Sequence, residues 1–207
     1  MDIRLIDHFP RELDDLALQA RRASFYQTSV WVECIARVFP GMKPRCLVAD
    51  AQGEILGYLP FFIVTKGPFR VLWSMPFGTY GGPVVREEGE VFDSLLGAYA
   101  RYASNPRVLQ AAWVDYWNAG GSSGFERETC RTHLIDLGRG FETIWKECFD
   151  KAKRRQVRKA ARENLQVREA TGREDLDRYY AIYELRMGEW KDSFKYTREF
   201  FEELLEQ

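Results

Sequence analysis

The stretch from Arg45 to Val64 constrains the fold most. Arg45-Cys46-Leu47-Val48-Ala49 and Ile55 to Val64 are two runs rich in β-branched and aromatic residues, and a short break at Gln52-Gly53 separates them. Two such runs around a glycine-containing turn read as a β-hairpin. Pro60 has no N–H to give a ladder, so it marks an irregularity or an edge in the second strand. A hairpin this apolar must be covered, which calls for helices or further strands packed on it.

The flanking sequence supplies both. Ile3-Arg4-Leu5-Ile6 reads as a short opening strand. Pro10 starts a helix with Leu13, Leu16, Ala17 and Ala20 on its apolar side. Phe25 to Ser29 reads as extended, and Ser29 as the cap of a helix carrying Trp31, Ile35 and Val38. Arg70 to Trp73 is a further strand, Val84-Val85 follows a glycine-rich loop, and Val91 to Ala103 has helical periodicity. Val108 to Tyr116 and Thr129 to Leu137 read as strands joined by the loop Asn118 to Gly124. After Gly138-Arg139-Gly140 the pattern becomes helical: Phe141 to Phe149, Lys151 to Asn164, Glu174 to Lys191, and Thr197 onward, with a short strand at Gln166 to Ala170. The fold class is α/β (α+β), a mixed sheet flanked by helices.

Composition narrows the chemistry. With 207 residues the chain can bury a real core, and its net charge of −1 confines any electrostatic function to a local patch. Cys34, Cys46, Cys130 and Cys148 show no Cys-x-x-Cys spacing, and His8 and His133 have no ligand-like neighbours, which argues against a zinc site. Isolated cysteines in amphipathic segments fit a reducing, cytoplasmic compartment. Met1-Asp2-Ile3-Arg4 lacks the basic and apolar regions of a signal peptide, and no run of about 18 apolar residues offers a membrane span. Neither histidine lies near a nucleophile motif, which disfavours covalent hydrolase chemistry.

Four segments could carry chemistry. The first is the basic helix Lys151 to Arg162, along which Lys151, Arg154 or Arg155, Arg158 and Arg162 stack on one side. Phe149, Val157, Ala161 and Leu165 form a narrow stripe able to bury. Like charges four residues apart repel, so an anionic ligand or partner would offset a cost of roughly 0.2–0.5 kcal/mol per pair. Arginine also forks onto phosphate. The competing reading is a solvated face whose charges pair with Glu142, Glu147, Asp150 and Glu163. The second segment is the loop Pro76 to Pro83, in which Tyr80, Gly81 and Gly82 can line a cleft. It follows neither phosphate-binding glycine pattern, and a plain structural crossing explains it equally well. The third is the helix around Arg178 to Met187, where Tyr179, Ile182, Tyr183 and Met187 read as core, with Tyr180 and Arg186 candidates for a polar cleft. The fourth is Asp115, between Trp113 and Trp117 at a strand end, a candidate base or a simple turn cap.

Several segments in series resemble the FemAB family of acyl and aminoacyl transferases: Gln27 to Trp31, Gly57 to Pro60, Ser74 to Gly82, Arg154 to Ala160, and Phe200-Phe201. The resemblance implies two tandem GNAT-like domains, one over 1–140 and the helical start of a second, incomplete one over 141–207. Members move an acyl group, commonly an amino acid from aminoacyl-tRNA, to an amine of a phosphate-bearing cell-envelope precursor of peptidoglycan or exopolysaccharide pathways. No tightly bound cofactor is implied, and the donor would be aminoacyl-tRNA or an acyl thioester. The acceptor would be a small-molecule or lipid-linked phosphate, with tRNA and a peripheral membrane surface as further partners. The position matching Arg154 resembles a contact to the acceptor phosphates, with Arg158, Lys151 and Arg155 in support. The family's first-domain lysine has no counterpart at Val32-Glu33-Cys34, and family members run longer than this chain. The glycine-rich loop that holds the acetyl-CoA pyrophosphate in GNAT enzymes is also missing. A non-catalytic module binding through the basic helix and an acyl-CoA-dependent N-acetyltransferase are the competing expectations.

Overall fold

The computed structural model describes residues 1–115, 124–129, 131–190 and 194–206. By internal contacts the chain divides into two compact units, Met1–Glu126 with Gly172–Gln207, and Arg127–Thr171.

The first unit is built on the hairpin. Strands β2 (Met42–Ala51) and β3 (Glu54–Lys66) pair antiparallel, closed at Ala51 opposite Glu54. Gln52 and Gly53 both take positive φ, 53° and 86°, as a tight turn matched to strand twist requires. β1 (Asp2–Ile6) adds to the outer side of β2, and β4 (Phe69–Ser74) runs antiparallel along the distal half of β3. The two-residue β5 (Val84–Val85) pairs with β3 at Gly57 and Tyr58. β6 (Val108–Trp113) lies parallel to β4, so the path reads β1-β2-β3-β4-β6.

Pro60 sits in the central strand, not at an edge. Its carbonyl accepts from the Ser74 hydroxyl, on the side away from β2. In a strand a residue's N and O face the same neighbour, so the missing N–H of Pro60 falls on that side too. There β3 changes partner from β5 at Tyr58 to β4 at Phe62. The proline occupies the gap between two ladders, where no donor is needed.

Alternation along β2 and β3 builds two cores. Cys46, Val48, Tyr58 and Phe62 face one side with Leu13, Leu16, Trp31, Val32 and Ile35. These come from α1 (Leu13–Gln19) and α2 (Ser29–Val38). Leu47, Ala49, Leu59, Phe61 and Ile63 face the other side, with Phe92, Leu95, Leu96 and Tyr99 of α3 (Glu90–Ala103). Ser29 is not the cap of α2. It is the first helical residue, and its backbone N–H and hydroxyl both donate to the Asp14 carboxylate of α1, at 2.7 and 2.5 Å. A carboxylate there satisfies an orphan donor and the helix dipole. Phe25 to Gln27, expected as extended, is a turn of 3₁₀-helix with Ser24 and Gln27 in a capping box.

α6 (Arg173–Glu189) and α7 (Arg198–Glu206) belong to this unit, and α7 packs on α2. Phe200 meets Trp31 edge to face at 5.8 Å, and Arg37 pairs with the nearly buried Glu203. The inward face of α6 differs from expectation. Tyr179 and Ile182 are half or more exposed, while Leu176 and Met187 are buried.

The second unit holds one α-helical turn, α4 (Phe141–Thr143), that runs into a π-helical stretch, Ile144–Cys148, and then α5 (Lys151–Arg162). The expected strands at Thr129 to Leu137 and Gln166 to Ala170 carry no strand pairing among the described residues. Their apolar periodicity is genuine, but a strand needs a neighbour to satisfy its backbone. Among this unit's described apolar side chains only Ile144 is buried. Among the described residues no helix is long and apolar enough to cross a membrane.

Candidate active site

The parallel strands β4 and β6 end at one level, with Ser74 opposite Trp113. Beyond their carboxyl ends the glycine-rich loop crosses over, and Gly81 N–H donates to Val114 O at 3.1 Å. The crossing is tight. A Cβ on Gly81 would lie 1.9 Å from the Ser74 carbonyl oxygen, and one on Gly82, where φ is +90°, would lie 2.5 Å from the Trp113 ring. Only glycine allows the loop to lie against both strand ends. Met75 and Phe77 also take positive φ, 66° and 63°, which side chains of that size adopt only when the surroundings impose it.

Three buried polar groups fix the loop. Ser74 Oγ donates to Pro60 O at 2.7 Å and accepts from Gly82 N at 2.8 Å. Gln27, 2 % exposed, donates from Nε2 to Gly82 O at 3.0 Å. Its Oε1 accepts from both the backbone and the hydroxyl of Ser24. Tyr58 donates its hydroxyl to Gln27 O at 3.0 Å, and burial pushes that phenol well above its ordinary pKa.

This frame encloses a cavity of about 250 Å³. Gln27 and Ser24 form one wall, Tyr80 and Gly81 a second, Phe92 and Trp113 an apolar third, and Asp115 stands at the strand end. Arg22 reaches in from the chain after α1. Its Nε pairs with Glu88, while its Nη1 is buried with no hydrogen-bond partner among the described residues. An orphan guanidinium nitrogen next to a cavity is a place for an oxygen-rich ligand group. A second cavity, about 360 Å³, lies past Arg22, Pro83 and Phe92 and is lined by Arg21, Arg86, Glu87 and Glu88.

The sequence-derived candidates thus fall in three places. Tyr80, Gly81 and Asp115 line one cavity, with Gly82 packed behind it. Tyr180 is not among the residues lining it. Its ring lies against Tyr183 and Phe201 at 5.8 and 5.9 Å, and loss of solvent raises its pKa. Lys151, Arg154, Arg155 and Arg158 lie in the other compact unit, on α5.

α5 departs from its reading in two ways. None of its residues is buried, and Val157 and Leu165 are 49 % and 68 % exposed, so the apolar stripe anchors nothing within the unit. Arg154 turns back, and its Nη1 donates to the carbonyls of Trp145, Lys146 and Phe149 at 3.2, 2.8 and 2.7 Å. It closes the carboxyl end of the preceding helical turn, as a cation there should. The four acids expected to neutralise α5 are mostly used elsewhere. Glu142 meets Lys146, Glu147 meets Arg139, Asp150 caps α5 through Lys153 N, and only Glu163 reaches it, at Lys159.

No family model matches the sequence, and no curated protein does. The fold does have a match. A crystal structure of FemX overlays 100 % of this chain and 54 % of its own, with a TM-score of 0.65 and 16 % identity. The chain has the fold of the part of FemX that it overlays. The chain therefore spans about half the length of that protein, and the GNAT-like mixed sheet flanked by helices is the shared architecture. A ribosomal-protein-alanine N-acetyltransferase from Brucella melitensis biovar Abortus 2308 also aligns, at 16 % identity over 64 % of this chain and 100 % of that one. Its TM-score of 0.37 gives it no weight.

Within this FemX-like fold, sequence reasoning missed Gln27, Ser24, Arg22 and Trp113. Gln27 was legible as the first residue of the Gln27 to Trp31 segment. Nothing in the local sequence singles out Arg22, which becomes notable only through the orphan nitrogen beside the cavity. Among the described residues no group of three or more His, Cys, Asp or Glu could hold a metal ion.

Proposed function

We propose that this protein takes part in acyl or aminoacyl transfer to an amine, with the cavity at the carboxyl ends of β4 and β6 as the reacting site. The observation that carries the reading is the meeting of Asp115, Tyr80 and the Gly81 backbone around one cavity in a FemX-like fold. In open α/β sheets, ligands bind beyond the carboxyl ends of the strands. The amine attacks the acyl carbonyl, the C–N bond forms, and the donor's oxygen or sulfur leaves with the electron pair. Asp115 takes the proton that the amine loses, and the Tyr80 hydroxyl stabilises the oxyanion. The apolar wall of Phe92 and Trp113 excludes water and accommodates the acyl side chain.

The acceptor in this reading is a phosphate-bearing cell-envelope precursor, small or lipid-linked, and the donor is aminoacyl-tRNA or an acyl thioester. Arg22, whose Nη1 is buried beside the cavity without a hydrogen-bond partner among the described residues, suits an anionic group of the acceptor. The test offers aminoacyl-tRNA and acyl thioesters separately, together with a nucleotide-linked muramyl peptide bearing a free amine, and detects the amide by mass spectrometry. An amide that is lost with Asp115→Asn supports the reading. Absence of amide with every donor, while the acceptor binds by calorimetry, refutes it.

A further inference from the structure

One group of cations on α5 stands apart from the ion pairs of its unit. Among the described residues Lys151, Arg155, Arg158 and Arg162 have no carboxylate partner, whereas Lys159 meets Glu163 and Arg154 is held by carbonyls. The four are spaced i, i+4, i+7, i+11. At 3.6 residues per turn they fall within an arc of roughly 60° and form a straight row about 16 Å long. A single diphosphate occupies two neighbouring positions of such a row. A row of this length suits an extended array of negative charge.

The same unit carries a second stripe. Phe141, Trp145 and Phe149 recur every fourth residue through α4 and the π-helical stretch, with ring centroids 6.0 and 5.7 Å apart. Phe141 is 70 % exposed. Arg154 lies on α5 between the cationic row and the Val157–Ala161 flank, and it grips the carbonyls of Trp145, Lys146 and Phe149. The aromatic segment is therefore clamped alongside the row. Leu137, Leu165 and Val167 add aliphatic surface that is largely open.

We infer that the unit Arg127–Thr171 docks on an anionic lipid surface, with the α5 row on the headgroup phosphates and the Phe141-Trp145-Phe149 stripe at the acyl boundary. Basic rows on amphipathic helices recognise anionic lipid, and tryptophan with phenylalanine settles at the interface. A nucleic-acid strand would also suit the row, but it stacks bases on open ring faces. Of this stripe only Phe141 is exposed, while Trp145 and Phe149 are half-buried, so it offers a single open ring. The open aliphatic side chains gain nothing from RNA and gain from an acyl boundary. The chain's net charge of −1 leaves the rest of the molecule acidic, which turns the basic row toward a negative surface.

The experiment is flotation of the full chain with vesicles of phosphatidylcholine alone and vesicles with one-third phosphatidylglycerol. Binding is expected to the anionic vesicles only, weakening at high salt. Removing cations with Arg155→Gln, Arg158→Gln and Arg162→Gln should reduce it by about fivefold per charge. All three side chains are exposed, so circular dichroism should be unchanged. Trp145→Ser should lower binding and abolish most of the blue shift in tryptophan emission that accompanies it. The cavity variant Asp115→Asn should bind vesicles as the parent does, which separates this proposal from acyl transfer. Equal binding by the triple variant overturns the proposal. So does loss of vesicle binding with tight binding to a single-stranded RNA, or self-association through this face in place of lipid binding.

Discussion

The hydroxyl of Ser74 donates to the carbonyl oxygen of Pro60 at 2.7 Å across the gap where β3 changes partner. The same oxygen accepts from Gly82 N, so one buried side chain ties the central strand, the end of β4 and the glycine loop together. Ser74→Ala leaves a buried donor and a buried acceptor without this partner. A loss of about 1–3 kcal/mol is expected in urea unfolding, with a larger fractional effect on ligand binding than on helix content.

The two ends of the loop should respond differently to a methyl group. Gly81→Ala forces a Cβ onto the Ser74 carbonyl, whereas Gly78, at φ +72°, has open space around it. Gly78→Ala should cost about 1 kcal/mol of backbone strain, and Gly81→Ala about 3 kcal/mol or more. Thermal unfolding of the two variants in parallel reads the difference directly.

Arg154 and Arg158 separate structure from binding. Arg154→Gln removes a charged donor from three carbonyls and should cost roughly 1.5–3 kcal/mol, seen as a loss of helix signal from the Arg127–Thr171 unit. Arg158→Gln removes an exposed cation without a described partner and should leave unfolding within about 0.5 kcal/mol of the parent, while lowering affinity for polyanions. A stability loss at Arg158 equal to that at Arg154 would contradict this assignment.

Several buried groups titrate in alkali. Burial, with the Glu203 charge adding to it, pushes the Cys34 thiol from 9.0 to about 11, and burial also raises Cys46 and Tyr58. Their folded-state pKa values lie above the unfolded ones, so the folded chain holds the extra protons. That stability is complete below pH 9 and is lost as pH rises toward 11. The melting temperature should therefore fall across this range, and less steeply in Cys34→Ala. At pH 8 a thiol reagent followed by peptide mapping should modify exposed Cys148 and spare Cys34 and Cys46.

The hairpin, its turn and the helices over it were legible because each is specified locally, by alternation, by Gln52-Gly53 and by helical spacing. Pro60 marked either an irregularity or an edge, and only the gap between β4 and β5, a tertiary fact, decides for the irregularity. Thr129 to Leu137 and Gln166 to Ala170 read as strands from composition, and composition does not supply the neighbouring strand that pairing needs. Asp115, Tyr80 and Gly81 could each be picked out, but their meeting depends on the level at which β4 and β6 end, Ser74 against Trp113. On α5 the charge pattern was plain. Which cations remain unpaired was not, because it depends on the bonds of Arg154, Glu142, Glu147 and Asp150 with groups before or within the helix.

The central claim is that chemistry occurs beside Asp115. Single-turnover amide formation, with donor and acceptor both saturating, separates chemistry from binding. Asp115→Asn should slow the step by about a hundredfold or more, while acceptor affinity stays within about twofold. An unchanged single-turnover rate in Asp115→Asn would contradict the account.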